Sequence, residues 1–265
     1  MRCLTVFLCS LPALAAGGEA RRVWNLLAAM ALGYASVGLL NDYCDRDLDR
    51  QTKPWRAIPS GLVSPRLALA LTLLCAAGMA LAAWPFGGLS VTLLTLAIAC
   101  GWLYDLRLKR TAFSWLPFVV FFPLVPMWVW TSLAGFEPRL WALFPLVALP
   151  AFAMHLFNNL EDVDADRAAG WDSGLPHRLG RRSTARLAWA LLAASYLLCL
   201  AWAARIPPAL LPRYGLLTGA ALLPALLAGG IFLLRPDRQR LRRAAFTLLA
   251  TGILILSTGF PLTLN

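Results

Sequence analysis

At 265 residues the chain has room for one or two domains. Hydrophobic residues make up 60% of it and charged residues 14%, against about 25% charged in soluble domains, so the composition excludes a water-soluble globule and indicates an integral membrane protein. The formal net charge is +11, but Lys and Arg are spread over short loops between apolar runs, and with no continuous basic face to track phosphates, nucleic acid is excluded as a partner.

Nine apolar stretches near the length of a membrane-crossing helix are predicted, at 3–18, 23–40, 66–84, 88–104, 113–133, 140–158, 185–204, 209–234 and 243–262. The first reads as a short retained span. The run Ala13-Leu14-Ala15-Ala16 behind Arg2 fits a cleaved signal peptide as well, and a truncated start would shorten it in the same way. The second stretch ends in Asn41-Asp42-Tyr43-Cys44-Asp45-Arg46-Asp47-Leu48-Asp49. Pro123, Pro126, Pro145 and Pro150 predict kinks in the fifth and sixth, to be satisfied by neighbouring helices. The sixth ends in Asn158-Asn159-Leu160-Glu161-Asp162-Val163-Asp164-Ala165-Asp166. Each acidic cluster thus follows an even-numbered span, a weak internal repeat of two four-helix halves. With no soluble segment between the spans, one transmembrane domain over residues 1–265 is expected.

Charge sets the topology. With nine spans and a cytoplasmic N-terminus, loops 41–65, 105–112, 159–184 and 235–242 share one side and hold 15 Lys plus Arg, while the opposite loops hold only Arg21, Arg22, Arg139 and Arg205. Positive charge stays inside, so both acidic clusters are expected on the cytoplasmic face of a bacterial-type cytoplasmic membrane. Of the six cysteines, all but Cys44 lie within apolar runs, with no metal-type spacing. They read as small buried apolar residues and not as a disulfide framework.

The chain has 13 acidic residues, and the two clusters hold eight of them. At 100° per residue, with Asn41 at 0°, Asp45 falls at about 40°, Asp49 at about 80° and Asp42 at about 100°, all on one helical face, while Asp47 points elsewhere at about 240°. With Asp162 at 0°, Asp166 lies at about 40°, Asn159 at about 60° and Asn158 at about −40°, and Glu161 and Asp164 fall on the other side. Carboxylates and amides on one stripe are the ligands a hard divalent ion prefers, and Mg²⁺ shares its remaining positions with water and substrate phosphates. Two ions clamping a diphosphate would neutralise it as it leaves. If the diphosphate is allylic, the apolar bundle would shelter the resulting carbocation from water. Charge runs are commonly just solvated, but here the spacing occurs twice, with an Asn in both and on one membrane side. A cation pathway through a transporter also uses intramembrane carboxylates, although these lie at span ends and not at mid-depth.

A diphosphate needs further cations. Arg50-Gln51-Thr52-Lys53-Pro54-Trp55-Arg56-Ala57-Ile58-Pro59-Ser60-Gly61 follows the first cluster, and Tyr104-Asp105-Leu106-Arg107-Leu108-Lys109-Arg110 closes the fourth span. For most single basic residues here, topology alone is an equal explanation. His155, one turn before Asn158 and Asn159, reads as a satisfied core histidine, and His177 as a loop residue.

Together these residues resemble the UbiA-type intramembrane prenyltransferase superfamily. Asn41, Asp42, Asp45 and Asp49 fit its Asn-Asp-x-x-Asp-x-x-x-Asp motif. Arg56-Ala57-Ile58-Pro59-Ser60-Gly61 is similar to its Arg-Pro-Ile-Pro-Ser-Gly element, with Ala57 for Pro. Tyr104 and Lys109 are similar to its Tyr-Ser-x-x-x-Lys element, with Asp105 where Ser is usual. Asp162, Asp166 and Gly170 meet its Asp-x-x-x-Asp-x-x-x-Gly motif. The resemblance runs through motifs over about residues 20–185 and through span count beyond.

That resemblance implies an all-α membrane protein of about nine helices in a ring around a central, lipid-facing cavity. It implies two Mg²⁺, a polyprenyl diphosphate donor, and transfer of the prenyl group to an aromatic or other lipophilic-product acceptor with release of diphosphate. Metal falls to Asp42, Asp45, Asp49, Asp162 and Asp166, and substrate contact to Asn41, Arg56, Tyr104, Asn158, Asn159 and Arg178. Lys109 acts with the carboxylates on the departing diphosphate. The chain departs from the family after the second motif, where Gly170-Trp171-Asp172-Ser173-Gly174-Leu175-Pro176 has Asp172 at an expected Lys, a lost phosphate contact for which Arg178 is the nearest substitute. The Arg-Pro usual in the first span has no counterpart. A membrane terpene cyclase would use the same ionisation without an acceptor, and a cation transporter would use the carboxylates without any prenyl chemistry. The acceptor stays open among quinone precursors, tetrapyrroles, haem, glycerol phosphates and others.

Overall fold

The computed structural model describes residues 20–160, 174–204 and 208–234, with 244, 247 and 248 besides. Among these residues the chain is all-helical: α1 (Ala20–Thr52), α2 (Pro65–Ala83), α3 (Gly88–Leu103), α4 (Leu116–Ala134), α5 (Leu143–Asn159), α6 (Leu175–Ala203) and α7 (Leu211–Leu234). Six of them, α1 to α6 with their flanking turns, are long and apolar enough to cross a membrane. In α7 the apolar stretch is Leu222–Ile231. The protein is thus an integral membrane protein. The predicted stretches at 3–18 and 243–262 lie outside the described helices.

Two compact units divide the chain, one of residues 1–109 with 128–135, the other of 110–127 with 136–265. In the first unit α1 runs for 33 residues, about 50 Å at 1.5 Å per residue. The hydrocarbon of a bilayer is about 30 Å thick, and the apolar stretch 23–40 accounts for about 27 Å of helix. The remaining turns carry the first acidic cluster past the apolar zone as a helical stem. No glycine or proline interrupts that stem before Pro54, so the helix on which the sequence argument depends does continue through the motif.

Helix packing here uses small residues, because apolar surface gains little from contact with another helix when lipid is the alternative. A Cβ on Gly33 would lie 2.8 Å from Ile98 Cδ1, and one on Gly101 would lie 2.8 Å from Val37 Cγ2. The backbones of α1 and α3 therefore approach closely at two levels one turn apart. Between them Ser36 donates to the Gly33 carbonyl at 2.7 Å and accepts Trp102 Nε1 at 3.3 Å. At the other end of the unit, Ser132 Oγ donates to the Trp128 carbonyl at 2.7 Å, so its single proton is spent. Ser90 Oγ, 2.7 Å away, must then be the donor to Ser132, and it accepts Trp128 Nε1 at 2.9 Å. Arg22 reaches the Ser132 carbonyl at 2.8 Å and lies over the Phe86 ring. A cation on the last turn of α4 suits the negative end of its dipole.

In the second unit α5 supplies the largest share of the described core, with Leu143, Val147, Ala151, Ala153 and Leu156 at 0% exposure. Ser195 Oγ of α6 donates to the Leu146 carbonyl at 3.3 Å, and Trp189 Nε1 donates to the Leu226 carbonyl of α7 at 3.2 Å. Pro123 and Pro126 lie inside α4 and Pro150 inside α5, all three buried against protein, where the backbone groups they free have neighbours. The span predicted to begin at 185 begins at Leu175 and is interrupted at Gly180, whose φ of 73° no β-carbon residue adopts readily. His177, expected in a loop, lies in the first turn of that helix, after Pro176 at a favoured helix-start position.

Candidate functional site: a carboxylate stripe closed by two cations

The stripe predicted on α1 is present. Arg56 Nη1 donates to Asp42 Oδ1 at 2.9 Å and to Asp49 Oδ2 at 3.0 Å, bridging carboxylates seven residues apart. Lys109 Nζ pairs with Asp45 Oδ2 at 2.5 Å. Asp49 is buried to 2% exposure. Asp47, placed by the 100° count on the opposite side, is 66% exposed and pairs only outward, with Arg46 and Arg50. On the face that the carboxylates share, Asp45 and Asp49 are thus covered by the protein, while Asp42 stays half exposed.

Local backbone chemistry brings the two cations in. After α1 ends, the chain turns back through Arg56 N to Lys53 O, Ser60 N to Arg56 O and Val63 N to Ala57 O, with Gly61 at φ 81°. This tight loop returns Arg56 to the stem it has just left. After α3 the backbone widens into a π-turn over Tyr104–Leu108, closed by Lys109 N to Tyr104 O at 2.8 Å. Such turns insert an extra residue into the helical count and recur at functional sites. Here the turn carries Lys109 onto Asp45.

One residue of this cluster was not anticipated as a participant. Asp105 had counted only as a departure from the usual Ser. It is buried at 9% exposure, and its Oδ1 accepts Asn41 Nδ2 at 2.7 Å. A signal for it existed: Asp105 stands four residues before Lys109, one helical turn, so a residue that reaches the stripe makes its neighbour a candidate.

In the second unit His155 is buried, with Nε2 3.0 Å from Ser114 Oγ and the Asn159 amide packed on its ring and bonded to its carbonyl at 2.8 Å. Phe118 lies over it with ring centroids 4.5 Å apart. This is the satisfied core histidine expected, and it engages Asn159, one of the predicted substrate contacts. Asn158 is exposed at the end of α5 and Arg178 is exposed on α6. Asp162 and Asp166, the second half of the proposed ligand set, lie outside the described residues.

The oxygen donors of Asp42, Asp45 and Asp49 suit Mg²⁺ in kind, and they share a face as such an ion requires. Among the described residues no three acidic, His or Cys groups close on one point as a ready-made metal centre. Each of these carboxylates is drawn toward a cation, and each of those ion pairs engages one of its two oxygens. The residues fit a divalent ion whose shell is completed by other ligands.

Long apolar helices, the first ending in a cation-paired carboxylate stripe, define a polytopic membrane protein built to handle charge at the edge of the bilayer. The chain matches the model of the UbiA prenyltransferase family over residues 3–255 and belongs to that family. It is 33% identical over 184 residues to a digeranylgeranylglyceryl phosphate synthase of Methanoregula boonei, covering 63% of this chain and 61% of that protein. It is 28% identical over 208 residues to a bacteriochlorophyll synthase 33 kDa chain of Cereibacter sphaeroides, covering 74% of this chain and 64% of that one. The match thus spans less than two thirds of the length of these curated relatives. A solved UbiA homolog from Archaeoglobus fulgidus bound to DMAPP and Mg²⁺ superposes with a TM-score of 0.72 at 18% identity, over 97% of this chain and 99% of that one. An apo UbiA homolog from Aeropyrum pernix K1 gives 0.69 at 20%, over 100% and 98%. At these identities the two structures bear on the fold alone.

Proposed function

We propose that this chain is a Mg²⁺-dependent prenyltransferase, moving a polyprenyl group from an allylic polyprenyl diphosphate to an aromatic or other lipophilic-product acceptor and releasing diphosphate. The observation that carries the proposal is the stripe of Asp42, Asp45 and Asp49 with Arg56 and Lys109 laid across it. In this reading the whole chain is one transmembrane domain of nine helices in a ring around a cavity, with the stripe at its cytoplasmic rim. Asp162 and Asp166 would join these carboxylates as ligands, and the set would hold two Mg²⁺.

When bound, Mg²⁺ offsets the charge of the departing diphosphate. The chain's own part is distinct. Asp42, Asp45 and Asp49 hold the cation side of the site. Lys109 and Arg56, already seated over those carboxylates, are the donors that meet phosphate oxygens, Lys109 as a point charge and Arg56 as a fork. Tyr104, Asn158, Asn159 and Arg178 contact the substrate. The apolar helices keep water from the allylic carbon as its C–O bond to diphosphate breaks, the acceptor's nucleophile bonds to that carbon, and the acceptor's proton leaves with the released diphosphate.

Purified protein given Mg²⁺ and labelled geranylgeranyl diphosphate should release diphosphate only with an acceptor, and geranylgeranylglyceryl phosphate is the first to try, because digeranylgeranylglyceryl phosphate synthases stand among the relatives. No release across a broad acceptor panel, or equal release by Asp45→Ala, refutes the reading. Hydrocarbon formed without acceptor would point instead to a terpene cyclase. Cation flux in liposomes without prenyl turnover would point to a transporter.

A further inference from the structure

Asp105 is a costly residue to keep where it is. A carboxylate buried at the end of an apolar helix loses hydration that a serine would not miss. A serine hydroxyl would also join α1 to the turn after α3, since it can either donate to the Asn41 side chain or accept from it. That freedom is the difference. In its ionised form a carboxylate has no proton to give, so at 2.7 Å it takes the Nδ2–H of Asn41 and admits only one orientation of the amide. With the nitrogen bound to Asp105, the plane of the amide is set and its oxygen is the arm that this bond leaves uncommitted. Asn41 shares its helical face with Asp42, Asp45 and Asp49, all of which present oxygen.

The levels below hold this pair in place. Gly33 meets Ile98 and Val37 meets Gly101, then Asn41 meets Asp105 and Asp45 meets Lys109. These are successive levels of one interface, spaced by four residues along α1. A buried carboxylate fixing the orientation of a neutral ligand is a recurrent device around metal sites, and removing it commonly lowers metal affinity by about 10- to 100-fold.

We propose that Asp105 is a positioning residue that commits Asn41 to the α1 stripe as an oxygen donor for a divalent cation. The inference rests on the metal dependence proposed above, and it adds a residue and a direction: Asn41 serves the cation through its oxygen, and not the phosphate through its N–H.

The test is Mn²⁺ binding followed by electron paramagnetic resonance, on the full chain in lipid nanodiscs, with and without inorganic pyrophosphate. Mn²⁺ affinity should fall about 10-fold or more in Asp105→Asn and in Asp105→Ser. The reciprocal exchange, Asn41→Asp with Asp105→Asn, keeps the net charge, reverses the hydrogen bond and still leaves an oxygen on the stripe. It should recover affinity to within about threefold of the parent, a small part of that loss. A residue that served only the fold would change the melting temperature and leave Mn²⁺ affinity alone. Unchanged affinity in both single variants, or an exchange variant no better than Asp105→Asn, overturns the proposal while leaving the prenyltransferase reading intact. A parent protein that binds no Mn²⁺ under either condition overturns both.

Discussion

The close approach of α1 and α3 offers a direct way to disturb the stripe without touching it. In Gly101→Ala the new Cβ would stand 2.8 Å from Val37 Cγ2 and 3.0 Å from Cγ1. Carbon atoms pack at about 3.5–4.0 Å, so the shortfall is about 0.7 Å or more. Val37 has no easy escape, because a β-branched side chain in a helix holds one strongly preferred rotamer. The helices must part by a comparable distance. One turn along, the 2.7 Å bond from Asn41 to Asp105 then stretches to about 3.4 Å or beyond, the limit at which it ceases to count. Lys109 reaches Asp45 on a flexible stem and follows. Overpacking costs about 1–3 kcal/mol, and exchanging Gly for Ala within a helix returns about 1 kcal/mol, so a net loss of up to about 2 kcal/mol is expected. Displacement on this scale near a reacting centre costs up to about 100-fold in rate. Thermal unfolding in nanodiscs and acceptor-dependent diphosphate release measure the two effects. Adding Val37→Ala removes the methyls the new Cβ meets and should restore most of the rate. A Gly101→Ala protein as stable and active as the parent, or a double variant no better than the single, refutes the argument.

Three further outcomes follow from the same geometry. Lys109→Met should lower turnover about 100-fold or more, the loss typical for one donor to developing charge, with the melting temperature changed far less; diphosphate release at saturating donor checks it. Asp47→Asn, on the exposed side of the stem, should stay within about 0.5 kcal/mol in stability and keep its rate, whereas Asp45→Ala should abolish it, and the two assayed in parallel test which face of α1 is used. Ser90→Ala leaves the buried Trp128 indole N–H without its acceptor and should cost about 1–3 kcal/mol, read by thermal melting, while Ser90→Thr, which retains the hydroxyl, should lose less.

The acidic stem was legible because it depends on one helix alone. Rotation per residue places Asp42, Asp45 and Asp49 together and sends Asp47 away, and the only condition, an unbroken helix to Thr52, could be judged from the lack of breakers before Pro54. The partners of those carboxylates were not legible. Arg56 and Lys109 sit in stretches where positive charge also marks topology, and their direction is decided by a returning loop and a π-turn, neither of which leaves a periodic trace. Asp105 was harder still. Its meeting with Asn41 is a matter of register between helices 64 residues apart, set by which glycines fall at the crossing. Gly33 and Gly101 do, while a Cβ on Gly38, in the same helix, would meet nothing within 4 Å. Sequence alone does not rank them. His177 differs for a simpler reason: Pro176, in a stretch that reads as loop, stands in the first turn of a helix that begins at Leu175.

Arg56 has a bearing on how the protein is made and how it cycles. A single guanidinium joined to Asp42 and Asp49 gives the stem its own counter-ion as soon as the loop after α1 closes. Assembly in the bilayer need not wait for an inorganic ion. Loading such an ion is then an exchange of partners and not the filling of a gap, which tempers its affinity. In the prenyltransferase reading, where a tightly charged diphosphate must leave after every round, a grip that loosens readily is an advantage.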